Sequence, residues 1–311
     1  MRITHGLQTG GSPASAPHAV TIGNFDGLHR GHQAMLARLK EEAARRGLPS
    51  CVLTFEPHPR EFFAPAEAPA RLSSLREKSE LIRAAGIDRL HVCRFDRRFA
   101  ALSPTGFIER VLLHTLGTRW LLVGDDFRFG AKRAGDFALL KEAGARLGFE
   151  VESLPTVSVE GKRASSTAVR EALAAGDMQH ARELLGRPYS ISGHVMHGDK
   201  LGRKIGFPTA NIQLQHNRPP LSGVFAVEVC GLNGAPLKGV ASLGTRPTVH
   251  ENGKPTLEVF IFDFRDELYG RRLRVDFLKK LRDEEKYPDL DALINQINRD
   301  VDNARAFFAT R

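Results

Sequence analysis

The chain has 311 residues, with 45 Lys and Arg against 36 Asp and Glu, a net charge of +9, 41% hydrophobic residues and 26% charged residues. That length predicts two domains, and the composition is close to ordinary globular usage. The positive balance predicts a polyanionic partner, either nucleic acid or nucleoside triphosphates.

Three cysteines, Cys51, Cys93 and Cys230, form no C-x-x-C pair, which argues against a disulfide framework or a zinc site and for a reducing, cytoplasmic setting. The first twenty residues lack the apolar core of a signal peptide. No stretch approaches the roughly 18 apolar residues of a membrane span, so no membrane partner is expected.

In chain order, Ala19–Gly23 reads as a strand. A helix follows from about Gly31 to Arg46, with Met35, Leu36, Leu39 and Ala43 on its apolar face. Cys51–Phe55 and Leu90–Phe95 are the next strands. Ser103-Pro104 opens a helix through about Leu116, with serine as cap and proline at the first position. Trp120–Val123 is a strand and Phe137–Leu147 a helix. This alternation predicts an α/β unit, a parallel sheet with helices on both faces. Ligands in such sheets bind beyond the carboxyl ends of the strands, which singles out the loops after Gly23, Phe55 and Val123.

Near residue 186 the pattern changes. Two short helical patterns, Thr167–Ala175 and Met178–Leu185, precede Gly186-Arg187-Pro188. Strands without intervening helices follow: Tyr189–Met196, Val224–Cys230, Lys238–Leu243, Leu257–Phe264 and Leu273–Phe277. Asn233-Gly234 and Asn252-Gly253 mark turns between some of them. The expectation is a small antiparallel β-barrel, closed by a C-terminal helix carrying Leu293, Ile294, Ile297, Val301, Ala304 and Phe308 on one face. Predicted domains are therefore 1–186 and 187–311. The basic run Arg271 to Lys286 alternates charged and apolar residues and reads as a strand with one wet face rather than a nucleic-acid stripe.

Two segments carry chemistry. The first is Thr21-Ile22-Gly23-Asn24-Phe25-Asp26-Gly27-Leu28-His29-Arg30-Gly31-His32, between strand and helix. Free N–H groups and the dipole draw anions to a helix start, and two imidazoles there can bond phosphate oxygens. Gly31 allows close backbone approach. Thr54-Phe55-Glu56-Pro57-His58-Pro59, Gly124-Asp125-Asp126-Phe127-Arg128-Phe129-Gly130 and Arg163-Ala164-Ser165-Ser166-Thr167-Ala168-Val169-Arg170 follow in order. The second segment is Gly198-Asp199-Lys200-Leu201-Gly202-Arg203-Lys204-Ile205-Gly206-Phe207-Pro208-Thr209-Ala210-Asn211. Such a glycine-rich loop can wrap phosphates through backbone N–H groups. No G-K-[ST] occurs, so it is not a Walker loop. Thr209 and Asn211 offer neutral oxygens suited to magnesium.

The first set of motifs resembles the H-x-G-H signature of nucleotidylyltransferases, and in particular the FMN adenylyltransferase module of bacterial FAD synthetases. Ala164 and Val169 stand where that family usually has isoleucine. The second resembles the G-x-x-x-G-R-x-I-G-F-P-T-A-N signature of riboflavin kinases. Gly239-Val240-Ala241-Ser242-Leu243-Gly244-Thr245-Arg246-Pro247-Thr248 also fits, with Ser242 in place of the usual asparagine. Thr256-Leu257-Glu258-Val259-Phe260 is similar to the segment around the family's catalytic glutamate. The resemblance spans residues from about His18 to Ala309 and names the bifunctional riboflavin kinase/FMN adenylyltransferase family.

The resemblance implies ATP binding by Gly23, Phe25, His29, His32, Asp126, Arg163, Ser166, Thr167 and Arg170, with both histidines catalytic. It implies a kinase site with Gly198, Lys200, Gly202, Lys204, Gly206, Thr209 and Asn211, the last two on Mg2+, and Glu258 as base. The implied small molecules are riboflavin, FMN, FAD and ATP, with no nucleic acid, and the chain is expected to be a monomer or weak homo-oligomer. Two alternatives differ in kind: a nucleotidylyltransferase for pantetheine phosphate or nicotinamide mononucleotide, which the second domain disfavours, and a basic nucleic-acid-binding protein.

Overall fold

A computed structural model describes residues 1–7, 16–159, 161–197, 205–215, 218–232, 234–245 and 255–311. The chain forms two compact units: Met1–Pro69 with Leu75–Ala164, and Ala70–Ser74 with Ser165–Arg311.

The first unit is a six-stranded parallel sheet in the order β1-β4-β3-β2-β5-β6. The strands are β1 (Arg2–His5), β2 (His18–Ile22), β3 (Ser50–Glu56), β4 (Arg89–Arg94), β5 (Thr118–Gly124) and β6 (Glu150–Leu154). A separate short hairpin follows, β7 (Ser158–Val159) and β8 (Lys162–Arg163). The central strands are apolar on both faces because both are covered. Val20, Ile22, Cys51 and Leu53 join Phe107, Val111, Leu112 and Leu140 on one side. Ala19, Val52, Leu90 and Trp120 join Leu36, Leu39 and Ile82 on the other. The chain proceeds from β2 to β3 and β4 on one flank and to β5 and β6 on the other. The switch lies between β2 and β5, which pair in parallel, and the crevice for a ligand opens beyond their carboxyl ends.

The Arg30–Arg45 helix and the Phe137–Leu147 helix match the apolar pattern within a residue. The segment after Ser103 does not stay α-helical. Ser103 caps Pro104–Phe107, and Ile108–Thr115 then winds as a π-helix. Edge strands β1 and β6 were not expected. They are short and half polar, so no apolar run announces them.

In the second unit, β9 (Tyr189–Met196), β10 (Thr209–Ile212), β11 (Gly223–Cys230), β12 (Leu237–Thr245), β13 (Pro255–Ile261) and β14 (Arg272–Arg282) close a barrel in the order β10-β13-β12-β11-β14-β9. Alternate residues, such as Leu257, Val259 and Ile261 of β13, point into the core. The Leu290–Ala309 helix lays Ala304 and Phe308 on Ala226 and Phe262. Its buried Asp300 binds Arg282 at 2.7 Å. The Met178–Leu185 helix buries Met178, Ala181, Leu184 and Leu185 and packs on β9 and β14. The packing boundary therefore falls at 164/165, ahead of the two helices that precede residue 186. Thr209–Ile212, part of the expected loop, is a strand. It is too short for periodicity to reveal. The predicted turns at Asn233 and Asn252-Gly253 lie outside the described residues.

Candidate functional sites on two units

Beyond β2 the backbone turns sharply: Phe25, Gly27 and Leu28 have φ of 49°, 77° and 43°. Positive φ at two non-glycine residues is strained and is held only when the surroundings enforce it. Here burial enforces it, because Phe25 is wholly inaccessible and Leu28 nearly so. The turn delivers His29 as the N-cap of the Arg30–Arg45 helix, its Nδ1 accepting from the His32 N–H. The His29 and His32 rings stack at 3.7 Å, and Phe25 lies 5.0 Å from His32. At Gly31 a Cβ would lie 3.1 Å from the His29 ring and 3.2 Å from the Ala164 carbonyl, so glycine lets the helix start and the Ala164 backbone meet. Burial, then the neighbouring His29 and Lys78, hold His32 well below the usual histidine range. It is a neutral imidazole at pH 7, and its buried Nδ1 has no hydrogen-bond partner, nor has Asn24 Oδ1.

Asp126 follows β5 and forms an ion pair with Arg163 at 2.7 Å. That bond raises the Arg163 pKa. Both are largely exposed, so the pair is worth little by itself and can open to a ligand. Gly23, Phe25, His29, His32, Asp126 and Arg163 thus occupy the carboxyl-end side of the first unit's sheet. Ser166, Thr167 and Arg170 belong to the second unit, on the helix Ser166–Ala174 capped by Ser165. Arg170 Nε there donates to the Ala70 carbonyl at 2.5 Å.

On the barrel, register replaces turns. Glu258 of β13 is paired with Asn211 of β10 on one side and with Ser242 of β12 on the other. Directly opposed residues share a face, so Asn211, Glu258 and Ser242 form a row outside the barrel core. Thr209 Oγ1 lies 3.5 Å from Glu258 Oε2, and Ser242 donates to Glu284 at 3.3 Å. Gly206, Thr209 and Asn211 line a cavity of about 420 Å³ with Asp266 and Tyr269. Gly198, Lys200, Gly202 and Lys204 lie outside the described residues, as does the segment with Arg246, Pro247 and Thr248. Among the described residues no group of three or more His, Cys, Asp or Glu side chains could hold a metal ion, and no helix is long and apolar enough to cross a membrane.

The sequence did not single out Lys78, in the Leu75–Ala84 helix, which is 4% exposed and donates to Thr54 Oγ1 at 3.3 Å. The available signal was a lysine on the apolar stripe Leu75, Lys78, Ile82, Ala85. Glu284, the partner of Ser242, lies in Leu281-Arg282-Asp283-Glu284, a segment that also resembles that of riboflavin kinases.

The family model for FAD synthetase matches residues 12–168 and that for riboflavin kinase matches 185–308. The chain is 52% identical to a bifunctional riboflavin kinase/FMN adenylyltransferase of Pseudomonas fluorescens over 93% of this chain and 92% of that one. It is 50% identical to the protein of that name from Escherichia coli K12 over 99% and 98%. A crystal structure of a protein called a macrolide-efflux protein, from Streptococcus pneumoniae, superposes with a TM-score of 0.79 at 30% identity, covering 95% of each chain. The family models cover residues 12–168 and 185–308 and the relatives nearly the whole length: this chain belongs to the bifunctional riboflavin kinase/FMN adenylyltransferase family.

Proposed function

We propose that the chain is a transferase with two sites. The barrel unit phosphorylates riboflavin with ATP to give FMN, and the parallel-sheet unit adenylates FMN with ATP to give FAD and pyrophosphate. The observation that carries the reading is the pairing of two stacked histidines at a helix start on one unit with a carboxylate beside Thr209 and Asn211 on the other. The proposed functional domains are 1–186 and 187–311. The family matches support this division, since one ends at 168 and the other begins at 185.

In adenylyl transfer an FMN phosphate oxygen attacks the α-phosphorus of ATP and pyrophosphate leaves. Neutral His32 and the capping His29, at a helix N-terminus, bind the phosphate oxygens on which charge accumulates. Gly23 and Phe25 shape the turn. Arg163 exchanges Asp126 for phosphate, which frees Asp126 to accept from ribose or base. Ser166, Thr167 and Arg170 offer hydroxyl and cationic groups of the kind that bind a triphosphate.

In the kinase step the terminal riboflavin oxygen attacks the γ-phosphorus, its proton passes to Glu258, and ADP leaves. The neutral oxygens of Thr209 and Asn211 beside a carboxylate suit Mg2+ already bound to phosphates. When bound, the ion neutralises phosphate charge. Gly198, Lys200, Gly202, Lys204 and Gly206 complete the phosphate-binding loop in this reading. A cytosolic setting accords with three free cysteines, of which Cys51 and Cys93 are buried in the core and pushed up to about 12 by that burial.

The test is to incubate the protein with riboflavin, ATP and magnesium and to resolve flavins by chromatography over time. FMN should appear first and FAD after it. Formation of neither from its own precursor overturns the reading.

A further inference from the structure

Lys78 has no part in the chemistry described so far. A lysine on the buried stripe of a helix is held by partners, and one of those of Lys78 is Thr54. Its ammonium donates to Thr54 Oγ1 at 3.3 Å. Thr54 is itself fully buried at the carboxyl end of β3, and its hydroxyl donates onward to the Asn24 carbonyl at 3.1 Å. The polarity is consistent throughout: ammonium to hydroxyl oxygen, hydroxyl hydrogen to carbonyl. Asn24 begins the turn that runs through the strained Phe25 and Leu28 to His29. The Lys78 charge also acts on His32, whose Nδ1 is buried and unpartnered, as is Asn24 Oδ1. Two polar atoms aimed at no protein group mark the place a ligand occupies.

We propose that Lys78 is a positioning residue for adenylyl transfer, holding the Asn24–His29 turn through Thr54 so that both histidines face the triphosphate. The proposal rests on the assignment of the paired histidines to that reaction. A shift of about 1 Å in a catalytic group costs about 10²-fold in rate, and a tied turn prevents such a shift. The two bonds share Thr54, so losing either link should loosen the turn.

The experiment uses the full-length protein and follows FAD formation from supplied FMN. Lys78→Met removes the charge and keeps the volume. Thr54→Val removes the hydroxyl and keeps Lys78, and Thr54→Ser restores the hydroxyl. Trp120, the single tryptophan and part of the first unit's core, reports by its fluorescence whether that unit is folded. Lys78→Met and Thr54→Val should each lower kcat by about 10²-fold with the KM for ATP changed only a few-fold. Thr54→Ser should be within a few-fold of the parent, and the double variant Lys78→Met/Thr54→Val no worse than the worse single one. A parent-like kcat in folded Lys78→Met or in Thr54→Val overturns the proposal, as does additive loss in the double variant. If Lys78→Met does not fold, Thr54→Val alone decides. His32→Ala is assayed in parallel. If it keeps full FAD formation, the assignment of the histidines fails, whatever Lys78 does.

Discussion

The two units build their sites by different means. In the parallel-sheet unit the functional groups sit on turns beyond strand ends, and a strained backbone path places them: Phe25, Gly27 and Leu28 bend the chain so that His29 caps a helix. In the barrel unit the groups sit on the strands themselves. Register across β10, β13 and β12 brings Asn211, Glu258 and Ser242 into one row. A turn can be re-aimed by small changes beneath it. A register cannot shift by one residue without turning every core side chain outward. The first site should therefore be sensitive to distant supports such as Thr54, and the second mainly to the reacting side chains.

The sharpest way to separate the units is Glu258→Gln. The glutamine keeps size and hydrogen-bonding reach but accepts no proton, so FMN formation in single turnover should fall about 10²–10⁴-fold. FAD formation from FMN should not change. A rate within a few-fold of the parent would move the base assignment to Asp263 or Asp266. Next in size is His29→Ala or His32→Ala. Loss of a phosphate-binding hydrogen bond of this type costs about 2.7–4 kcal/mol, or 10²–10³ in rate. FAD formation should drop by that factor while FMN formation holds, and equal loss of both would point to one shared site.

A third outcome tests the packing boundary. The Met178–Leu185 helix buries four apolar side chains on its own unit, of which Met178, Leu184 and Leu185 are each worth about 1.5–3 kcal/mol when fully covered. A 165–311 fragment should accordingly melt well above a 187–311 fragment, by thermal circular dichroism. Equal melting points would show that the helix adds nothing to the barrel.

The smallest effect concerns pH. Burial, then the charge of Arg89, depress buried His91 to about 4, and Thr4 Oγ1 lies 2.9 Å from its Nδ1. The unfolded value is about 6.5. A depressed histidine stabilises the fold while neutral in both states, and that contribution is lost as pH falls from about 6.5 toward 4 because the unfolded chain takes up the proton first. The loss amounts to at most about 3 kcal/mol. The parent's melting temperature, read by Trp120 fluorescence, should fall across this window, and His91→Gln should flatten the fall. An unchanged pH dependence in the variant would place the acid sensitivity elsewhere.

The alternation of apolar runs with 3.6-residue patterns up to residue 186, and its replacement by strands alone, announced both architectures. Burial on both faces requires continuous apolar strands, and a barrel core requires alternation; Ala19–Val20 and Leu257–Ile261 display those two signals. The motif residues were legible as well, because a histidine pair after a glycine-rich turn and a long P-T-A-N string are local in sequence. Less local features stayed hidden. Short edge strands β1 and β6 carry little apolar signal. The π-helical winding of Ile108–Thr115 does not show in the apolar pattern, which reads as an ordinary helix.

By itself, then, the sequence determined the order of the elements, the change of architecture, the family and the candidate residues for chemistry, since each is written in patterns a few residues to a dozen long. Only the tertiary structure decided that the helices of 166–185 pack with the barrel, that Glu258 stands between Asn211 and Ser242, and that Lys78 reaches Asn24 through Thr54. Those relations join residues distant along the chain, and they arise from strand register and side-chain packing, which no local pattern encodes.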